Sequence, residues 1–194
     1  MITIPSLKRL KSQTQLDYYS ETYLKCSGLP IPQVYINNPD NRVYGIFYNN
    51  KMIGGFILGK GQTLRTLEVF AQPDARRRLY DSVGEIHECT EITCFWIDPK
   101  FRKNPYLNTY TWICLAIMLK CVGNKKIIFG TCSASLAKLY STTSKSVLIH
   151  KDVVNGKPTF IFRGDQQVSL IGFFEVLRHK WSRMARVSWR QARA

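Results

Sequence analysis

Serine side chains near the middle of the chain could carry nucleophilic chemistry, and their surroundings test that idea. Ser133 and Ser135 directly follow a short apolar run that predicts a strand. The G-x-S-x-G turn that exposes a nucleophilic serine is missing, and no partner histidine is evident. We therefore discount a serine nucleophile.

Cysteine and histidine side chains could instead bind a metal, but their spacing argues against it. The chain has six cysteines and three histidines, without a CxxC pair. The histidines, His87, His150 and His179, are scattered, so we expect no metal site. Cys114 and Cys121 lie inside an apolar helical pattern. We interpret the cysteines as reduced, mostly buried thiols of a cytoplasmic protein, with a disulfide framework as the poorer alternative.

The elements that must position any site are clearest between Glu91 and Tyr140. In chain order the pattern predicts a strand over 91–97, a helix over 107–121, a strand over 126–130 and a helix over 133–140. This is a βαβα unit, whose two strands should be parallel and should splay near Ile97. Functional turns usually follow the carboxyl ends of parallel strands, which points to residues 98–104 and 130–135.

The flanking segments predict further helices and two hairpins around this unit. Residues 1–11 are basic and are expected to be loosely held. Helices are predicted over 13–26 and 76–82, and strands over 42–48, 51–58, 146–150 and 157–162. The pair Gly54-Gly55 marks either a bulge or a tight packing contact.

Three short motifs resemble a known family. The segment Trp96-Ile-Asp-Pro-Lys-Phe-Arg102 fits a V-x-P-x-x-R-like step, and Ser133, Leu136, Leu139 and Tyr140 have the spacing of an N-x-x-A-x-x-L-Y helix, with serine replacing asparagine. Both motifs are typical of the GCN5-related N-acetyltransferase (GNAT) superfamily. Glu91-Ile-Thr-Cys94-Phe also resembles the E-(I/L)-S/T-R strand of the subgroup that makes N-acyl amino acids and acyl-homoserine lactones, with Cys94 in place of arginine.

The resemblance implies an α+β fold, with a mixed, mainly antiparallel central sheet of six to seven strands flanked by helices. The GNAT-like domain would cover residues 1–166. The division after this domain rests on the sequence pattern, because apolar residues recur at three- and four-residue steps in residues 167–194 and predict a basic amphipathic helix at the C-terminus.

The resemblance also assigns roles in acyl transfer from a thioester donor to an amine. Tyr140 would be the acid that protonates the leaving thiolate, and Glu91 the base, directly or through water, with Glu88 and His87 in reserve. Donor binding is expected at Phe95, Trp96, Ile97, Arg102, Lys103, Asn104 and Ser133, where the backbone of 95–97 would hold the pantetheine arm like an added strand. The structural alternatives are an ordinary amphipathic tyrosine at 140 and a strand-start carboxylate at 91.

One segment departs from the family pattern. The family's turn reads R-x-x-G-x-G/A, whereas this chain has Arg102-Lys-Asn-Pro105-Tyr-Leu107. Pro105 has no N–H to offer a pyrophosphate, and Leu107 adds a side chain where the backbone should approach the ligand closely. Either the donor is an acyl carrier protein, which lacks the nucleotide of coenzyme A, or the site has lost its donor.

The formal net charge of +15 favours an acidic partner. In the C-terminal segment the charged side chains after Glu175 are all basic, which favours contact with an anionic membrane surface. The residues expected to make that contact are Arg178, Lys180, Arg183, Arg186 and Arg190. An acidic protein is a further candidate partner. Nucleic acid is the weaker alternative, because no helix-turn-helix or RNA-binding signature accompanies the charge.

Two functions therefore remain open. The first is an acyltransferase that uses acyl-CoA or the phosphopantetheine of an acyl carrier protein; the retained Tyr140 and Arg102 favour it, and it is the function that we predict. The second is a catalytically inactive protein of the same fold, which would use its basic surface to hold an acidic partner, an anionic membrane or nucleic acid. The altered turn at 102–107 favours the second.

Overall fold

The computed structural model describes residues 4–60, 63–68, 73–122, 125–143, 146–165 and 178. Seven strands in these ranges form one sheet. They are β1 (Ser6–Arg9), β2 (Arg42–Tyr48), β3 (Lys51–Gly59), β4 (Cys89–Ile97), β5 (Lys126–Thr131), β6 (Val147–Val154) and β7 (Lys157–Asp165). Their spatial order is β1-β2-β3-β4-β5-β7-β6, and only β4 and β5 are parallel. The predicted mixed, mainly antiparallel sheet is confirmed.

Helices pack on both faces of this sheet. They are α1 (Gln13–Ser27), α2 (Gln33–Ile36), α3 (Arg65–Glu68), α4 (Pro73–Val83), α5 (Pro105–Val122) and α6 (Ala134–Thr143), with a short 3-10 helix at Ile86–Glu88. Neighbouring residues of β5 show the two faces, because successive side chains of a strand point to opposite sides. Ile127 packs with residues of α5 and α6, and Ile128 packs with residues of α3 and α4. No helix in the described part of the chain is long and apolar enough to cross a bilayer.

The parallel strands β4 and β5 separate within the sheet. Their pairing runs only from Cys89 opposite Lys126 to Ile92 opposite Phe129. β4 then continues alongside β3, and β5 continues alongside β7. The strands therefore splay after Ile92, earlier along β4 than the point predicted at Ile97.

A β-bulge reshapes β4 just beyond this point. The register against β3 shifts between Gly55 and Ile57, so Cys94 and Phe95 together lie opposite one residue of β3. Cys94 has φ of 52°, a left-handed conformation that is uncommon for a residue with a side chain and is typical of bulges. Because of the extra residue, Phe95 packs on the same face as Ile92, whereas Cys94 packs beneath α1.

Helix α1 is fastened to the bulge by Tyr19. Its ring is fully buried, and its hydroxyl donates a hydrogen bond to the carbonyl oxygen of Cys94 at 2.6 Å. A Cβ at Gly55 would lie 2.6 Å from Cε2 of Tyr19 and 2.3 Å from the carbonyl oxygen of Tyr44. Both alternatives for Gly54-Gly55 are therefore seen: Gly55 makes the tight packing contact, and the register of β3 against β2 shifts directly beside Gly54.

The basic N-terminal segment corrects one prediction. Residues Ser6–Arg9 are not loosely held but pair with β2, from Ser6 opposite Phe47 to Arg9 opposite Tyr44. Leu10 is buried and its N–H donates to the carbonyl oxygen of Val43 at 2.9 Å. The C-terminal helix predicted over 167–194, and with it the domain boundary, lies outside the described residues apart from Arg178.

Candidate active site

A cleft of about 470 Å³ opens where β4 and β5 separate. It is lined by the free edge of β4, by β5 and β7, by α5 and α6, and by the C-terminal end of α1. Five of the predicted site residues line it, namely Phe95, Trp96, Arg102, Ser133 and Tyr140. The other four predicted residues, Glu91, Ile97, Lys103 and Asn104, do not belong to its lining.

Tyr140 lies in the wall of the cleft on α6. Its ring packs edge-on against Phe129 and Phe162, with centroid distances of 5.0 and 5.8 Å. Burial raises the pKa of Tyr140 well above its ordinary value, because the phenolate would be poorly solvated. The hydroxyl therefore stays protonated over the physiological range, which is the state that a proton donor needs.

Three other predicted residues line the slot between β4 and the helices, although the side chain of one of them packs on the opposite face of β4. Phe95 stacks on Trp112 of α5, with ring centroids 5.2 Å apart. Trp96 is buried against Tyr19, on the opposite face of β4. Ser133 accepts a hydrogen bond from the N–H of Leu136 at 3.4 Å and so caps α6 at the edge of the cleft.

The turn before α5 is built to satisfy its own backbone groups. Arg102 is exposed, and its Nε donates to the carbonyl oxygen of Ile97 at 2.9 Å. Asn104 caps the helix, because its Oδ1 accepts from the N–H groups of Tyr106 at 3.0 Å and Leu107 at 3.2 Å. Pro105, the first helical residue, has no N–H. The first turn of α5 therefore has no unpaired N–H at these three positions for a pyrophosphate.

Leu107 does not act as the sequence suggested. Its side chain is 4% exposed and packs in a core cluster with Ile46 and Ile53. It therefore does not crowd a ligand at the helix N-terminus, and the predicted steric clash at Leu107 is wrong. Lys103 is exposed in the same turn.

Glu91 is a structural anchor and is not a base that faces the cleft. It is completely buried on β4. Its carboxylate accepts hydrogen bonds from the hydroxyl of Tyr35 at 2.6 Å, from the N–H of Arg65 at 3.0 Å and from the N–H of Thr66. Burial raises the pKa of Glu91, while these hydrogen bonds act in the opposite direction. With both oxygens occupied, Glu91 ties α3 and α2 to the sheet, and the prediction of a catalytic base is corrected accordingly.

The absence of a side chain at Gly59 permits this arrangement. A Cβ there would lie 2.5 Å from the hydroxyl oxygen of Tyr35 and 3.1 Å from Oε2 of Glu91. Burial and the negative charge of Glu91 hold the pKa of Tyr35 well above its ordinary value, so the hydroxyl remains a donor to the carboxylate.

The two reserve bases lie at the surface. The side chain of His87 is 81% exposed, and Glu88 pairs with Lys126 at 3.2 Å. With Glu85 they form a group whose possible ligand atoms lie within 4.8 Å of one another, but neither residue lines the cleft.

Arg65 is the cleft residue that sequence reasoning missed. It lies on α3, its side chain reaches the cleft wall, and only 8% of the residue is exposed. Burial lowers the pKa of Arg65, but the neighbouring Cys94, Tyr23 and Glu91 together raise it, so the guanidinium stays charged. The one hint in the sequence was Cys94, which stands where the resembling subgroup has arginine.

The described lining of the cleft is cationic and contains no carboxylate or imidazole side chain. Its charged lining residues are Arg65, Arg102 and Lys157, and none of the described residues that line it is Asp, Glu or His. Burial raises the pKa of the Cys94 thiol to about 11 and that of the Tyr23 hydroxyl to about 12, so neither is a ready proton acceptor. The site can hold anionic ligands and can offer a proton from Tyr140.

Comparison with known proteins supports the fold assignment. No protein-family model matches the chain, and no curated protein sequence does. Among solved structures, FeeM, an N-acyl amino acid synthase from uncultured soil microbes, is similar with a TM-score of 0.64 and 12% sequence identity, over 86% of this chain and 93% of FeeM. A probable acetyltransferase from Staphylococcus epidermidis has a TM-score of 0.55 and 10% identity, over 84% and 99% of the two chains.

A third neighbour is NAA60 of Arabidopsis thaliana in complex with acetyl-CoA. Its TM-score is 0.56 at 9% identity, over 84% of this chain and 98% of NAA60. At these low identities the likeness concerns the fold alone. The seven-stranded sheet with its splayed parallel pair and these neighbours agree with the motifs read from the sequence, and the protein has the GCN5-related N-acetyltransferase fold.

Proposed function

We propose that this protein transfers an acyl group from a thioester donor to an amine. The observation that carries the proposal is the cleft between the splayed strands β4 and β5, with Tyr140 protonated in its wall. The neighbouring structures reported above are an N-acyl amino acid synthase, a probable acetyltransferase and NAA60, which is described in complex with acetyl-CoA.

In the proposed reaction the neutral amine nitrogen attacks the thioester carbonyl carbon. The C–N bond forms, the C–S bond breaks, and the leaving sulfur takes a proton from the Tyr140 hydroxyl. Solvent returns a proton to the tyrosine and removes the proton that the amine loses, because no described lining residue is a carboxylate or an imidazole. The enzyme therefore acts on the neutral form of the amine.

The donor would lie along the unpaired edge of β4, with its arm beside the Phe95–Trp112 stack and its phosphate near Arg102. We call this the donor end of the cleft, formed by Phe95, Trp112 and Arg102, and it adjoins the turn at 103–107. Because Asn104 occupies N–H groups of α5, the structure favours a donor without a nucleotide, such as an acyl carrier protein. The exposed Arg102 and Lys103 suit the acidic surface of such a carrier.

The test is thiol release from acyl-CoA and from acyl carrier protein in the presence of a panel of amines. Tyr140→Phe should keep the fold and lower turnover by roughly 10²-fold, the scale expected for losing one general acid. Tyr18→Phe is the matched control, because Tyr18 is 45% exposed on α1 and should leave turnover unchanged. Full activity of Tyr140→Phe would remove this residue from the mechanism.

A binding protein without catalysis is the second candidate. The capped N-terminus of α5 and the absence of acidic or histidine side chains from the described lining favour it. Under this alternative, no donor and amine pair supports thiol release, although the cleft still binds an acidic ligand. The same assay, run beside a binding measurement, separates the two functions.

A further inference from the structure

Arg65 is a buried cation whose contacts leave part of its hydrogen-bonding capacity unused. Its Nη2 donates to the carbonyl oxygen of Pro30 at 2.8 Å, and its Nη1 donates to Oγ1 of Thr93 at 3.3 Å. Each of these nitrogens has a second N–H, and Nε has no hydrogen-bond partner. A buried donor without a partner costs free energy, so its presence needs an explanation.

The charge of Arg65 also lacks a direct partner in the described residues. No described carboxylate lies within ion-pairing distance of the guanidinium. The nearby Glu91 is occupied by the backbone of α3 and by Tyr35. The ring of Tyr23 lies 5.6 Å from the guanidinium carbon, which adds a weak attraction and limits its movement. A buried cation in a cleft wall, with Glu91 acting on it only from a distance and no carboxylate paired with it among the described residues, is the arrangement expected of an anion-binding residue.

The backbone of Arg65 is held as firmly as its side chain. Glu91 accepts the N–H groups of Arg65 and Thr66, so α3 cannot shift without breaking buried hydrogen bonds. Lys157 stands at the mouth on β7, where its Nζ donates to the carbonyl oxygen of Ser27 at 2.6 Å. An incoming anion therefore meets a preorganised guanidinium and no negatively charged side chain among the described lining residues.

We propose that Arg65 binds a carboxylate of the amine acceptor and so selects acceptors that carry an acidic group. This inference rests on the proposed acyl transfer and adds a specificity residue to it. Arg102 lines the cleft at the donor end, so the two arginines would serve different anions. We call the part of the cleft formed by Arg65, Thr66, Tyr23 and Lys157 the acceptor end. Simple polyamines, which have no anion, would be poor acceptors.

The experiment measures binding without relying on turnover. N-acylglycines with acetyl, octanoyl and dodecanoyl chains contain both the acyl chain and the carboxylate of a product. The matching N-acylglycinamides are nearly the same size but uncharged. Calorimetry with the full chain should show at least one acid binding about tenfold or more tightly than its amide, the scale of a charge-assisted hydrogen bond.

The variants locate that preference. Arg65→Met should reduce the affinity ratio of acid to amide to about one, and Arg65→Lys should keep part of it. Lys151→Met is the control, because Lys151 is exposed on β6 and does not line the cleft, and it should keep the ratio unchanged. For each protein the affinity for the acid is divided by the affinity for the amide. Partial unfolding of a variant weakens both affinities alike, so it does not change this ratio. The wild-type ratio remains a test on its own where Arg65→Met fails to fold.

The proposal is overturned if wild-type protein binds acids and amides equally, if it binds none of them, or if Arg65→Met weakens both classes alike. An acid preference that depends on Arg65, in a protein that releases no thiol from any donor, would sustain the anion site and remove the acyltransferase function. Thiol release at equal rates for amino acids and their amides would support the acyltransferase function and would remove the anion site.

Discussion

The two ends of the cleft hold their arginines in opposite ways. At the donor end, Arg102 is exposed in a turn, and its side chain donates a hydrogen bond to the carbonyl oxygen of Ile97. At the acceptor end, Arg65 is buried, hydrogen-bonded to Pro30 and Thr93, and mounted on a helix whose N–H groups are tied to Glu91. Water screens the first charge, whereas the second acts through a medium of lower dielectric.

This difference indicates which end selects its ligand. A solvated arginine attracts any anion, including a phosphate on a flexible arm, and gives little discrimination. A buried, preorganised arginine interacts strongly with the correct anion and penalises a neutral ligand that leaves its N–H groups unpaired. Under the proposed function, the acceptor end would therefore contribute more to ligand selection than the charge of Arg102 at the donor end. The predictions below test that contrast, beginning with the largest expected effect.

Removal of the anchor should be the most damaging change. Glu91→Ala leaves the N–H groups of Arg65 and Thr66 and the hydroxyl of Tyr35 without their acceptor. We expect the free energy of unfolding, measured with urea, to fall by about 3 kcal/mol or more. Glu88→Ala is the control, because Glu88 makes only a half-exposed ion pair with Lys126, and it should not measurably change stability. An unchanged urea midpoint for Glu91→Ala would show that Glu91 does not anchor α2 and α3 to the sheet.

Gly59→Ala should disturb the contact between Tyr35 and Glu91, because it adds a side chain beside them. The new Cβ would lie within 2.5 Å of the Tyr35 hydroxyl oxygen, so the tyrosine or the strand has to move. We expect a loss of about 2 kcal/mol of unfolding free energy. Tyr35→Phe removes the hydrogen bond without adding bulk and should cost less, about 1 kcal/mol. If Gly59→Ala is as stable as the wild-type protein, Tyr35 can move away from the added Cβ without cost.

The donor end should improve when its helix cap is removed. In Asn104→Gly/Pro105→Ala the cap no longer occupies the N–H groups of Tyr106 and Leu107, and position 105 gains an N–H. We expect coenzyme A to bind about tenfold more tightly by calorimetry, as anions do at helix N-termini, at a cost of about 1 kcal/mol of stability.

The control ligand for that variant is pantetheine, which has the arm but no phosphate and should bind both proteins alike. Submicromolar binding of coenzyme A to the wild-type protein would contradict the idea that the turn has lost its pyrophosphate site. Leu107→Gly is not a suitable test, because it would empty the packed position between Ile46 and Ile53.

The smallest expected effect is that of pH. No described lining residue is a carboxylate or imidazole, and the raised pKa of Tyr140 keeps the acid protonated at alkaline pH. The acceptor kcat/KM, divided by the fraction of neutral amine, should therefore vary less than about twofold between about pH 6.5 and 10. An ordinary tyrosine acid, with a pKa near 10, would lose about half of its activity at the upper limit. A fall on the acid side of the corrected profile would reveal a protein base.

Local features were predictable because each depends on a few neighbouring residues. The turn at Asn49 and Asn50 has φ of 50° and 59°, and that at Asn155 and Gly156 has φ of 50° and 72°, as their residue types favour. The helix over 13–26 ends at Gly28, whose φ of 73° suits glycine. Periodicity predicted the βαβα unit for the same reason. The resemblance then placed Tyr140, which the structure does bring to the cleft.

The failures share a different cause. Residues 6–9 contain no strong strand pattern, and only the open edge of β2 gives them a partner. Leu107 was expected to face a ligand, but the core offered it a place beside Ile46 and Ile53. A sequence pattern gives the period of an element but does not say which neighbour will cover each face.

By itself the sequence determined the βαβα unit, the helix before it and the two hairpins around it, and its resemblance to the GNAT superfamily implied the fold. Only the tertiary structure decided the roles of Glu91 and Arg65. The hydrogen bonds of the Arg65 side chain join residues separated by 28 and 35 positions, and the bond from Tyr35 to Glu91 spans 56. Such contacts leave no local period in the chain, because burial and pairing arise only when distant elements pack together. A charge that reads as a solvated surface residue in the sequence can thus become the buried cation of a binding cleft.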